Sequence, residues 1–465
     1  MSPSGVKPPK PRRTVAELVG GGFVVWAFVW ENARQALGDV TNPTLILPVP
    51  RATRLVEVFV LVALLACVVI AHRTRRFEWA AAMTMLVLGV VVTVGSSLIG
   101  ILAGYTTVST ALNTSYAYLS PLMLAGVVSA LSREWDEPTQ FLRIFEILVV
   151  LNSIVAWYQF GIQGAWGDAV HGALHDAHMY ANVAWIGVLL VLVRLYYTRR
   201  GWWRSAVLLF LFAPTAWAAQ HEMAEVVLGV VILGAAFLML WHRGLKWRLL
   251  ATASYVTACV SLFSAIQGGA PFLSSFGRIE RVITNLPALG IVEGYAQIPS
   301  VITTAPHSLL IGTSPGSYGS PSAIQSALAG SEPAPLVRLY TVESYELNEA
   351  TRGLLGSFVQ KSTDLTVMVV EFGPFVLLCG AVALWLLVIR PALTAVNSAS
   401  VSRRIAGLWV TLSSAYMLLL SAGTAFYGWS ASHASVFPIV VTGALLAHRR
   451  SPGVERARAE DFTSL

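Results

Sequence analysis

The residues with the most chemistry per position stand in a few short polar stretches of an otherwise apolar chain. His171-Gly-Ala-Leu-His175-Asp176-Ala-His178 sets three imidazoles and a carboxylate in eight residues. Imidazole titrates near neutral pH and is the commonest zinc ligand, but this spacing matches no regular metal signature. Three uses stay open: metal ligands, substrate contacts through His175 and His178, or a polar entry to a helix. His221-Glu222, with Glu225 one helical turn on, lies between two apolar runs. Ionisable groups at membrane depth are costly and more often functional than ornamental, so Glu222 or Glu225 is a candidate for binding or acid–base work. Glu371 falls inside another apolar run, about 12 Å deep at ~1.5 Å per residue. It must face the protein interior or a wet cavity, with an Arg or hydroxyl partner, and serves either packing or catalysis. The Gly373-Pro374 pair below it predicts a kink.

Two further sets could meet a ligand. Ile311-Gly312-Thr313-Ser314-Pro315-Gly316-Ser317-Tyr318-Gly319 is a glycine-punctuated turn that brings backbone close to a neighbour, with Gly312, Gly316 and Tyr318 as contacts. Arg51 and Arg54 follow a Pro-Val-Pro break, Arg278 and Arg281 open a long polar segment, and Arg352 lies near its end. The planar guanidinium fork suits a diphosphate, whereas arginines at a membrane surface also snorkel to lipid headgroups.

These groups need a scaffold, and composition defines it. With 55% apolar and 12% charged residues, and a mean hydropathy of +0.66, the chain of 465 residues reads as an all-α, polytopic integral membrane protein. Apolar runs place twelve spans near 16–30, 55–71, 79–103, 111–131, 141–160, 179–197, 203–219, 223–241, 248–266, 363–389, 405–421 and 430–447. The organisation is then a disordered tail over 1–15, nine spans over 16–266, a large loop over 267–362 with an amphipathic helix near Leu336 to Phe358, three spans over 363–447, and a second tail over 448–465. Alternate loops carry 23 and 8 of the Lys and Arg residues, which puts both termini in the cytoplasm and the large loop outside. The net charge of +7 sits in these short loops, so nucleic acid is not an expected partner. Cys67, Cys259 and Cys379 all fall within spans, which argues against disulfides and a cysteine metal site and makes them small core residues.

The segment Leu310 to Tyr318 resembles the glycine-rich, aromatic-ended turn in the outer loop of the O-antigen ligase and polymerase superfamily. Lys361-Ser362-Thr363-Asp364-Leu365 through Val370-Glu371-Phe372-Gly373-Pro374 is similar to that family's loop-to-helix junction. Gly172 to Asn182 and Gln220 to Val226 resemble its earlier outer turns. The resemblance covers about forty residues by motif, and most of the chain by topology.

It implies a bacterial cytoplasmic-membrane glycosyltransferase that takes its glycan from an undecaprenyl-type polyprenyl diphosphate on the outer face. A surface-polysaccharide polymerase is the leading form, with ligation to a lipid acceptor as the alternative. Arg278 and Arg281 would hold the departing diphosphate. His221, Glu222, Glu371 and Ser362 would orient or deprotonate the acceptor, and Ser362, Asp364 and Glu371 would line one seam. The chain departs from the ligase pattern at Ser362, where ligases carry His, and at His221-Glu222, where they carry Ser-Arg; both departures favour the polymerase. No cofactor or metal is expected. The expected partners are the lipid-linked glycan, the bilayer and other polysaccharide-assembly membrane proteins. A multi-span transporter of small anions is the reading from a different class.

Overall fold

The computed structural model describes residues 14–38, 60–66, 77–132, 138–174, 176–198, 201–219, 221–241, 295, 296, 298, 299, 308–318, 320, 363–424, 429 and 433–447. These residues form a helical bundle: α1 (Val15–Gly38), α2 (Phe77–Leu102), α3 (Val108–Leu131), α4 (Pro138–Trp157), α5 (Ala177–Tyr197), α6 (Trp202–Ala218), α7 (Glu222–Trp241), α8 (Asp364–Val396), α9 (Val401–Gly423) and α10 (His433–Leu445). Among the described residues, six helices are long and apolar enough to cross a membrane, and three shorter apolar stretches add Val15–Val29, Met223–Ala235 and His433–Leu445. The protein is therefore a helical membrane protein with several spans. The predicted spans at 55–71 and 248–266 and the amphipathic helix near 336–358 lie wholly or mostly outside the described residues.

The bundle has an inside and a lipid-facing outside. On α2, Val87, Val91, Val94 and Leu98 form one exposed stripe at helical spacing, with Ala82, Met83 and Leu86 on the buried face. By contrast α3 and α10 are buried almost all round and run against each other at the centre. Lipid tails are as apolar as leucine, so helix association here rests on close packing and internal hydrogen bonds. Gly407 of α9 shows this: a Cβ there would lie 2.4 Å from the Ala392 carbonyl oxygen, so only glycine lets α8 and α9 approach. Polar groups inside the bundle tie helices together. The Trp409 indole N–H donates to the Ile186 carbonyl at 3.0 Å, and the Tyr416 hydroxyl donates to Asn182 Oδ1 at 2.9 Å, both joining α9 to α5.

Helix starts collect at one end of this bundle, called here the turn end, and those of α3, α5 and α8 carry side-chain caps. Thr107 accepts from the Thr110 amide, Asp176 from the amides of His178 and Met179, and Thr363 forms a capping box with Thr366. The chain reverses between α2 and α3 and between α6 and α7 at this same end, where α9 also ends and α10 starts. The opposite end holds the starts of α2, α4, α6 and α9.

Candidate functional site

The turn end is built around a break in α8. That helix runs Asp364–Val367, widens into a π-turn over Met368–Phe372, and restarts at Gly373 with φ of +79°. The sequence predicts a kink from Gly373-Pro374, and the physical cause is now visible. Pro374 has no N–H, so the Val370 carbonyl loses its helical partner. The segment 308–320 supplies it from outside the helix: the Thr313 amide donates to the Val370 carbonyl at 2.8 Å, and the Ser314 amide donates to that of Glu371 at 3.2 Å.

The Glu371 side chain closes the junction. It is fully buried; its Oε2 accepts from the Gly316 amide at 2.6 Å, and its Oε1 from the amides of Tyr318 and Ser320 at 2.9 and 3.0 Å. Amides of alternate residues converge here on one anion in a nest-like cradle, called the nest below, and the carboxylate that fills it belongs to the protein itself. The sequence calls for an Arg or hydroxyl partner here, whereas these three bonds come from backbone. Approach this close leaves no room for side chains on either strand. A Cβ on Gly312 would stand 2.2 Å from the Glu371 carbonyl oxygen, and one on Gly373 would stand 2.3 Å from the Gly312 nitrogen. Between them Ser314 is held at φ of 112°, a conformation that L-residues adopt only when the surroundings impose it. Further contacts seat the segment on α3, where the hydroxyls of Thr114 and Ser320 lie 3.1 Å apart.

Beside the nest lies a second carboxylate. Asp364 is buried at the first position of α8; its Oδ1 accepts from the Tyr118 hydroxyl at 3.0 Å, and its amide donates to the Thr424 carbonyl at the end of α9. The Tyr118 ring meets Phe372 of the π-turn edge-on at 5.1 Å. Next to it His433, the first residue of α10, shares a 3.0 Å hydrogen bond with Ser120, stacks on Phe437 and meets Tyr116 edge-on. Tyr118, Ser120 and His433 do not stand out in the sequence. The available signal is the run Asn113 to Ser120, which is too polar for a lipid-facing span and must point inward.

The histidine-rich turns form the other side of the same end. His221 is buried, with its ring 4.7 Å from that of His178, so the turn before α7 packs on the start of α5. Burial and the neighbouring imidazole together hold His221 well below the usual histidine range, so it is neutral at ordinary pH. Gln159, in a π-turn at the end of α4, accepts from the amides of His171 and Gly172 and donates to the Gly172 carbonyl, which fixes the loop leading to α5. Gly423, one residue before the Thr424 that bonds Asp364, lies against Met223 of α7. The histidine pair and the two carboxylates therefore belong to one continuous end of the bundle.

No protein-family model and no curated protein sequence matches this chain. Of the predicted site residues, the structure brings Gly312, Gly316 and Tyr318 together with Glu371, and His178 with His221. Arg51, Arg54, Arg278, Arg281, Arg352, Ser362 and His175 lie outside the described residues, as does the side chain of Glu222. Among the described residues no three His, Cys, Asp or Glu side chains are grouped as metal ligands would be.

Proposed function

We propose that the protein is a membrane glycosyltransferase that draws its glycan from a polyprenyl diphosphate, in the manner of an O-antigen polymerase. The observation that carries this reading is the nest: a segment from the long polar part of the chain is fixed by Glu371 against the broken end of α8. On this reading the fixed loop over the bundle end forms one wall of a seam between lipid and water. That is the shape a substrate with an isoprenoid tail and a sugar head requires. The proposed topology has twelve spans, both termini in the cytoplasm and the turn end outside, in a bacterial cytoplasmic membrane; the 23-to-8 charge asymmetry supports it.

The reaction is a displacement at the anomeric carbon. An acceptor hydroxyl oxygen forms the new bond, the bond to the diphosphate oxygen breaks with its electron pair leaving on the diphosphate, and the hydroxyl proton passes to a base. Arg278 and Arg281 are assigned to the diphosphate, where bidentate cations stabilise the departing charge. His221, neutral and at the seam, is the assigned proton acceptor, with Glu222 beside it in the chain. Glu371 is assigned a positioning role, since both its oxygens hold the turn. Departures from the ligase pattern at Ser362 and His221-Glu222 favour polymer extension over ligation to a lipid.

The transporter reading calls for a polar path near the middle of the bundle. Tyr180, Ser153 and Thr215, buried towards the turn end, are bonded to one another, which suits packing there. Purified protein reconstituted with a lipid-linked oligosaccharide, in buffer containing chelator, should produce longer lipid-linked glycans. Extension only on adding a divalent metal or a sugar nucleotide would overturn the mechanism, and solute uptake without extension would put a transporter in its place.

A further inference from the structure

At the end of the bundle opposite the nest, four helices meet through arginines. Glu146 of α4 is buried and pairs with both Arg194 of α5 and Arg204 of α6. Arg194 is mostly buried, whereas Arg204 is 62% exposed. One turn beyond Arg194, Tyr197 carries the Arg404 guanidinium of α9 over its ring at 5.3 Å. The Arg404 Nε has no hydrogen-bond partner among the described residues although it is shielded from solvent. Arg143, one turn before Glu146, is exposed on α4. Trp202 and Trp203 open α6 as a stacked pair 4.2 Å apart, exposed by 52% and 68%.

Each feature has a physical meaning at a membrane surface. A single carboxylate cannot use the five donors of each of two guanidinium groups, so N–H groups of the exposed Arg204 remain for another anion. Tryptophans that are half in and half out belong at the headgroup level, where an apolar ring and a polar N–H are both accommodated. Basic pockets between helix ends at that level fit anionic headgroups. Arg199 and Arg200, in the turn between α5 and α6, add positive charge in the sequence; Glu134, Asp136 and Glu137, just before α4, add negative charge, and all five lie outside the described residues.

We propose that Arg194, Arg204 and Arg404, flanked by Trp202 and Trp203, form a seat for the phosphate of an anionic phospholipid. The seat lies a helix length from the nest, since Arg194 and His178 stand at opposite ends of α5. It does not depend on the glycan-transfer reading. Arg204 supplies the exposed guanidinium, Arg404 a second guanidinium at the start of α9, and the tryptophan pair packs against the glycerol and upper acyl chains. Its occupant bridges α5, α6 and α9, so the lipid stabilises the assembled bundle.

The test is retention of phosphatidylglycerol against phosphatidylcholine by the purified full chain, read by native mass spectrometry, together with thermal unfolding in nanodiscs of each lipid. The wild type should retain phosphatidylglycerol preferentially and unfold at a higher temperature in it. Arg204→Gln, a change at an exposed position, should lower the preference about tenfold, and Arg204→Gln with Arg404→Gln should abolish it. Should the double variant fold poorly, Arg204→Gln alone decides, with Arg338→Gln as a control for loss of one charge elsewhere. Equal retention of the two lipids by the wild type would overturn the proposal. So would an unchanged preference in Arg204→Gln, or full stabilisation by inorganic phosphate in phosphatidylcholine discs.

Discussion

The Glu371 carboxylate accepts the Tyr318 amide across a sequence separation of 53 residues, and with it the amides of Gly316 and Ser320. One side chain within α8 therefore fixes the backbone of a distant turn. Glu371→Gln keeps the shape but sets an NH2 donor against amide donors. Each buried donor left unpaired costs about 1–3 kcal/mol. Amide exchange at Gly316, Tyr318 and Ser320 should rise at least tenfold while exchange in α3 and α10 stays slow, and polymer formation should fall. Unchanged exchange would show that the carboxylate does not hold the turn.

Gly312 and Gly373 should tolerate no side chain. Alanine at either meets the opposing backbone and a positive φ, so the turn must leave α8. Both variants should still insert in the membrane but lose protease protection at the turn. Gly229→Ala is the matched control, since a Cβ there meets nothing within 4 Å. Equal protection in all three would sink the close-approach argument.

Asp364 and Tyr118 should be energetically coupled. Asp364→Ala and Tyr118→Phe each remove the 3.0 Å bond, so the double variant should be less destabilised than the sum of the singles. A coupling of ~1–3 kcal/mol is expected for a bond to a charged group, read from thermal unfolding in detergent. Strict additivity would mean that the contact contributes nothing.

Acid should loosen the turn end through His221. Its folded pKa lies well below 6.5, so below about 6.5 the unfolded chain takes up a proton that the folded one refuses. The contribution of neutral His221 is thus fully present above that pH and is lost as the pH falls towards the depressed folded value. The unfolding temperature should drop between pH 7 and 5, and His221→Asn should flatten this part of the profile. An unchanged slope would assign the acid sensitivity to other groups.

Orientation can be checked independently of any activity. A reporter fused after Ser331 should behave as extracytoplasmic, and one fused after Arg200 as cytoplasmic. Reversed labelling would put the nest on the wrong side for a lipid-linked glycan and remove the proposed reaction.

Sequence alone determined the class of this protein, because the length and composition of an apolar run decide whether it can cross a bilayer without reference to any other part of the chain. The apolar runs also placed the starts of α3, α5 and α8 to within three residues, and the structure shows Thr107, Asp176 and Thr363 fixing them by capping amides two or three residues away. The break at Gly373-Pro374 was legible too, since proline removes an N–H whatever surrounds it. What Glu371 does was decided only by tertiary structure. Burial inside a span required a partner, but the amides that serve belong to a turn more than fifty residues earlier, and backbone donors carry no signature in residue type. The pairings of Tyr118 with Asp364 and of His178 with His221 were hidden for a related reason. Each joins residues at the ends of different helices or in the turns beside them, and which helix ends meet is set by how the faces of the whole bundle pack.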